Sequence, residues 1–225
     1  MTYIRSEVRT LCRSRLSDTD IPYKFSDDQL NQWINDAIAD YSNYFPRRQT
    51  TVITCVAADC QYDLPEGCRA VVKVEFPTGE NPPVYLLRRN RDEANFVEGP
   101  YYDLIEHNQA GYPPELLLGQ TPSAGQEITV DYEAVHAWMD DDSDTCTVID
   151  EHLEAILLYV RWATFQELAS QESANPDPES MAISILELNA YRAERAYRKT
   201  IEDYGKMQAR SAVTSWTMDK WDKTY

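Results

Sequence analysis

Glycine and proline are segregated along this chain, and that segregation constrains the architecture more than any other feature. Six of the seven glycines fall between Gly67 and Gly125 and eight of the twelve prolines between Pro65 and Pro122, while residues 1–66 and 126–204 contain no glycine. Turn-forming residues at that density specify short strands joined by turns. The two glycine-free flanks are left to be helical.

In the first flank Ile4, Val8, Leu11 and Cys12 repeat at helical spacing, with Arg5, Arg9 and Arg13 as a neighbouring stripe. Residues 18–22 end this helix, and Ser26 starts the next. Its hydroxyl caps free amides while Gln29 reaches back in a capping-box arrangement. Leu30, Ile34, Ala37, Ile38, Tyr41 and Tyr44 mark the buried face, and Pro46 stops the helix. In the middle, residues 51–57, 70–76, 84–88, 101–107, 115–118 and 127–135 are β-branched or aromatic-rich and bounded by turn signals. They predict roughly six strands in a small antiparallel sandwich or barrel.

The second flank resumes with Asp150 as N-cap, followed by Leu153, Ile156, Leu157, Val160, Thr164 and Leu168. After a proline-bearing loop, Asp177 and Pro178 start a last helix. Ile183, Leu186, Ala190, Ala193, Tyr197, Ile201 and Tyr204 sustain its buried face, and Gly205 is the expected terminator. Two helices on each side of a β segment cannot bury their stripes separately. The expected fold class is therefore α+β: a four-helix bundle built from both chain ends (residues 1–47 and 148–207), an inserted antiparallel β-domain (48–147) and an extended C-terminal tail (208–225).

Charge narrows the function. The formal net charge is −17, which argues against a free-standing nucleic-acid binder, since such proteins carry a basic surplus. Between Arg91 and Arg161 there is no Lys or Arg, while sixteen Asp and Glu occur from Asp92 to Glu154, so one region projects most of the negative field. Hydrophobic residues at 43% suffice for a sizeable core, and no segment approaches the apolar length of a membrane span. The mixed start MTYIRSEVR is unlike a signal peptide, and five cysteines without a CxxC read as reduced packing thiols. A cytosolic protein without membrane contact is expected.

The candidate sites are few. Asp140, Asp142, Asp144 and Glu151 occupy carboxylate positions of a calcium-binding loop, but Thr145 stands where glycine is required, and a solvated acidic linker is the plainer reading. Asp140, Asp141, Asp142 and Asp144 are then acidic surface. His107, His136 and His152 lack metal-ligand spacing and read as polar surface residues. With no GxSxG, GxGxxG or P-loop, no enzyme activity, metal or cofactor is expected. Arg5, Arg9 and Arg13 are either a partner or subunit interface or a solvated face paired with Glu7. Trp216, Trp221 and Tyr225, in a segment without a helical partner face, read as binding anchors; the alternative is that Trp216 folds back on the bundle.

The segments IRSEVRTLCRSRLSD and FSDDQLNQWINDAIADYSNYFP resemble the opening of head-to-tail adaptor (connector) proteins of tailed bacteriophages, with their (L)xD loop and (W/F)SDxxLxxxxNxAixxys helix. YDLPEGCRAVVKVEF, the stretch from YEAVHAWMDDD to QELAS and the paired final helices are similar to the same family, so the resemblance covers most of residues 1–205. It implies a structural virion protein assembled in the host cytoplasm: a ring, commonly of twelve subunits, beneath the portal, joining capsid to tail. Its implied partners are the portal protein, copies of itself and a downstream neck or tail protein. The resemblance also implies that the bundle makes side-by-side ring contacts and that Trp216, Trp221 and Tyr225 contact the portal. DNA would pass through without specific binding, repelled by a negatively lined channel, unless the acidic residues face outward for solubility. The other readings are a lower-neck tail-completion or nozzle component binding tail tube or fibres, and a calcium-dependent binding module.

Overall fold

The computed structural model describes residues 3–106, 113–175 and 180–214. Among these residues the chain is α+β, with helices α1 (Arg5–Leu16), α2 (Asp27–Tyr44), α3 (Leu153–Ser173) and α4 (Ser180–Thr214). The strands are β1 (Arg47–Thr54), β2 (Gln61–Asp63), β3 (Cys68–Glu75), β4 (Tyr85–Arg88), β5 (Tyr101–Ile105), β6 (Glu115–Leu118) and β7 (Glu127–Ala134). Two compact units result. Pro46–Val135 forms one, and the described residues up to Phe45 and from His136 onward form the other.

In the helical unit, the Ser26–Gln29 capping box forms as its spacing requires: the Gln29 N–H donates to Ser26 Oγ (3.2 Å) and the Ser26 N–H to Gln29 Oε1 (3.0 Å). Leu30, Ile34, Ala37, Ile38 and Tyr41 on α2 are wholly buried and meet Val8 and Cys12 of α1. The central element is α3, which packs on all three other helices. Its buried residues, from Leu153 through Ala155, Ile156, Leu157 and Val160 to Ala169, lie on several faces, the pattern of a helix enclosed by its neighbours. Residues 136–147, expected from the sequence to belong to the insertion, fall in the helical unit, whose core includes Met139 and Cys146 along with Val148.

Two helix ends differ from expectation. Asp150 is not the cap of α3: it opens a 3₁₀ turn, Asp150–His152, that leads into the helix. Gly205 does not end α4, which continues to Thr214. Gly205 has no left-handed backbone, and the residues after it, Lys206, Met207, Gln208 and Ala209, are good helix formers that carry the helix past one glycine. Among the described residues, no helix is long and apolar enough to cross a membrane.

In the second unit the strand order is β1-β7-β3-β4-β5-β6-β2. Strand β7 alternates strictly, burying Ile128, Val130, Tyr132 and Ala134 on one face, where they join Val74, Phe76, Leu86, Tyr102, Leu116 and Leu118. The expectation of a wholly antiparallel insertion is corrected at one place, because β4 and β5 pair in parallel. The chain between them, residues 89–100, has the length a parallel crossover needs, which a hairpin turn does not. Strand β2, only three residues long, has too little pattern to be read from sequence; it pairs with β6. Gly67 turns with φ +77°, and a Cβ on Gly119 would lie 2.3 Å from the Phe96 carbonyl oxygen, so both positions demand glycine.

Candidate interaction surfaces

Polar residues of α2 fasten the chain that returns from the sheet. Buried Asn35 donates from Nδ2 to the Met139 carbonyl (3.2 Å) and accepts at Oδ1 from the Met139 N–H (3.0 Å). Two turns later, Ser42 Oγ accepts from the His136 N–H (3.1 Å) and donates to the Ile38 carbonyl (2.7 Å). The His136 ring sits between the Phe45 carbonyl (Nε2, 3.0 Å) and Thr147 Oγ1 (Nδ1, 2.9 Å), and Tyr41 Oη is 2.6 Å from His152 Nδ1. Both histidines are thus buried and hydrogen-bonded, not surface residues as their spacing suggests, because each ring closes a gap where backbone and hydroxyl groups need partners. Burial holds the His152 imidazole below its ordinary pKa.

The arginine stripe is turned inward. Asp142 accepts from Arg5 Nε (3.1 Å) and Nη2 (2.9 Å) and bidentately from Arg9 Nη1 and Nη2 (2.8 Å each). The hydrogen bonds from Arg9 and then Arg5 hold the Asp142 carboxyl far below the usual carboxylate range. Arg13 and Asp18 form a buried pair at 2.6 Å, while Arg13 also donates to Asp27 (2.5 Å) and to the Phe25 carbonyl (3.1 Å). Glu7, the partner expected for the stripe, instead accepts from the Ile4 N–H at the start of α1 (3.1 Å).

The acidic linker serves the same junction. Carbonyls of Asp144 and Asp142 accept from the Arg5 and Ser6 N–H groups (2.9 and 3.2 Å), satisfying amides that a helix start leaves free. Asp144 Oδ2 accepts from the Asp140 and Asp141 N–H groups (2.7 and 2.8 Å). Two carboxylates that the calcium reading needs are therefore engaged by guanidiniums or by the loop's own backbone. Among the described residues, no group of three or more His, Cys, Asp or Glu is placed to hold a metal ion. Asp140 and Asp141 are exposed to solvent.

Elsewhere in the base-free stretch, Glu93, Asp131, Glu133 and Glu154 pair with Arg89, Lys73, Arg48 and Arg15 at 2.9, 3.1, 3.8 and 2.8 Å. Each base comes from outside the stretch, so tertiary structure partly cancels the charge separation seen along the chain.

Among the described residues, α4 borders two open surfaces with apolar character. On α4, Met181, Ile185, Leu188 and Tyr191 are 77, 53, 47 and 59% exposed, on the side opposite buried Ala190, Ala193, Tyr197 and Ile201. Near its C-terminal end, α4 and the end of α2 flank a groove of about 610 Å³ lined by Tyr44, Phe45, Tyr197, Ile201, Gly205 and Ala209. Tyr204 stacks on His152 beside it, ring centroids 3.9 Å apart. The sequence pattern of the buried face of α4 masks the outward stripe, although the three- and four-residue steps from Met181 to Leu188 carry its signal. Trp216, Trp221 and Tyr225 lie outside the described residues, as does His107.

A family model described as SU10 adaptor protein matches residues 1–218. No curated protein matches the chain.

Proposed function

Because the chain belongs to the SU10 adaptor protein family, a phage head–tail adaptor family, we propose that it is a structural neck component whose copies form a ring beneath the portal. In this reading the four helices act as one bundle that forms the body of the ring. The residues beyond Thr214, with Trp216, Trp221 and Tyr225, anchor on the portal, and the opposite side receives the next neck or tail protein. DNA passes through the ring without being held, and the protein's part is mechanical.

The observation that carries the proposal is the outward stripe of α4. A helix that already buries Ala190, Ala193, Tyr197 and Ile201 has no need, as a monomer, of a second apolar face at Met181, Ile185, Leu188 and Tyr191. Such a stripe fits a head-to-tail contact, in which one surface of each copy meets a different surface of the next and the rotation closes a ring. The clamp of Asn35, Ser42 and Arg5 on His136 and Met139 supports a mechanical role, since it ties α1 and α2 to the segment that leads into α3. The test is electron microscopy of the purified protein mixed with its portal. Added ring density on the portal is the expected result; no density, or capture of a tail-tube protein alone in pull-downs, overturns it.

A further inference from the structure

The groove beside Gly205, about 610 Å³, has room for a large side chain. Gly205 sits inside a helix that runs to Thr214, where glycine costs about 0.5–1 kcal/mol relative to alanine. Neither backbone nor crowding requires it: its φ is not left-handed, and a Cβ there would meet nothing within 4 Å. The absent side chain leaves space in a groove lined by Tyr44, Phe45, Tyr197, Ile201 and Ala209 together with the polar Arg198, Glu202, Lys206 and Gln208.

The chain itself supplies an occupant of the right kind and reach. The sequence after Thr214 reads SWTMDKWDKTY, with indoles at positions 216 and 221. From Gly205 to the end of α4 is nine helical steps, about 14 Å. Seven extended residues from Thr214 to Trp221 span up to about 24 Å, enough to return to Gly205, while the two to Trp216 span about 7 Å and fall short. We propose that in the free protein Trp221 of the same chain occupies this groove. The anchor is thereby covered until a partner displaces it. The inference concerns the isolated chain and does not depend on which partner that is.

The test uses the full chain labelled with 5-fluorotryptophan, resonances 216 and 221 being assigned with Trp216→Phe and Trp221→Phe. The H₂O/D₂O isotope shift of each fluorine reports its exposure. The expected result is a protected Trp221 and an exposed Trp216, with Trp221 protection lost in Gly205→Phe, which fills the groove, and kept in Gly205→Ala. Tyr44→Ser, which removes a half-exposed wall, is a second variant expected to weaken protection, with circular dichroism confirming the fold of each. A solvent-exposed Trp221 in the unmodified protein overturns the proposal, as does protection that survives Gly205→Phe in a folded chain. Protection that disappears on tenfold dilution overturns it in favour of docking between two copies.

Discussion

At the residue scale, polar side chains with several partners each carry the fold. Asp18 is 6% exposed, and its carboxylate accepts from Arg13 (2.6 Å) and from the Lys24 and Phe25 N–H groups (2.6 and 3.3 Å). Asp18→Ala leaves the Lys24 and Phe25 N–H groups without their acceptor and Arg13 with Asp27 as its remaining carboxylate, so it is expected to lower stability by about 1–3 kcal/mol, read from urea midpoints. Asp142 gives a pH signature. Its folded pKa lies below that of the unfolded chain, so the stability it contributes is complete above the ordinary carboxylate value near 4 and is lost as pH falls toward the folded pKa. The gap in urea midpoint between wild type and Asp142→Asn should thus be constant from pH 7 to 5 and narrow below about pH 4. A constant gap down to pH 2.5 would contradict the assignment. These pairings were not readable from sequence: the arginine stripe was visible, but its partner Asp142 lies 137 positions from Arg5.

At the scale of elements, α2 explains its own motif. In FSDDQLNQWINDAIADYSNYF, Ser26 caps, Asp27 meets Arg13, Leu30, Ala37 and Ile38 fill the core, Asn35 and Ser42 hold the returning chain, and Tyr41 meets His152. The apolar positions were legible because burial follows the helical period. Asn35 and Ser42 were not, because a hydrogen bond to a backbone a hundred residues away leaves no periodic trace. Asn35→Ala should leave the buried Met139 N–H without its acceptor, while the Met139 carbonyl keeps its hydrogen bond from Arg5 Nη1 (2.8 Å), and cost about 1–3 kcal/mol. Hydrogen exchange should quicken at residues 136–148 before it does on α3; uniform quickening would show that Asn35 supports the whole core equally. The helix α4 teaches the converse. A glycine near a helix end reads as a stop, yet the helix formers from Lys206 to Ala209 and the open space around Gly205 let α4 continue.

At the scale of the whole molecule, the prediction concerns assembly. Leu188 is 47% exposed on the outward stripe, so Leu188→Glu should leave the circular dichroism spectrum and urea midpoint within about 0.5 kcal/mol of wild type. The same variant should abolish ring formation on the portal, as seen by electron microscopy; rings formed as readily as by wild type would move the subunit contact elsewhere. The surplus of negative charge also reads differently at this scale. Five carboxylates of the base-free stretch, Glu93, Asp131, Glu133, Asp142 and Glu154, meet bases from other parts of the chain, so the field is weaker and more dispersed than the linear count implies. By itself the amino-acid sequence determined the α+β class, the positions of the helices and most strands, and the adaptor resemblance, because periodicity, capping and turn chemistry act within a few residues. Tertiary structure alone decided which charges meet, which polar residues clamp the returning chain, that β4 and β5 run parallel, and that α4 keeps a second apolar face and an open groove. Those outcomes depend on partners far apart in the chain, and only the folded packing brings them within a few ångströms.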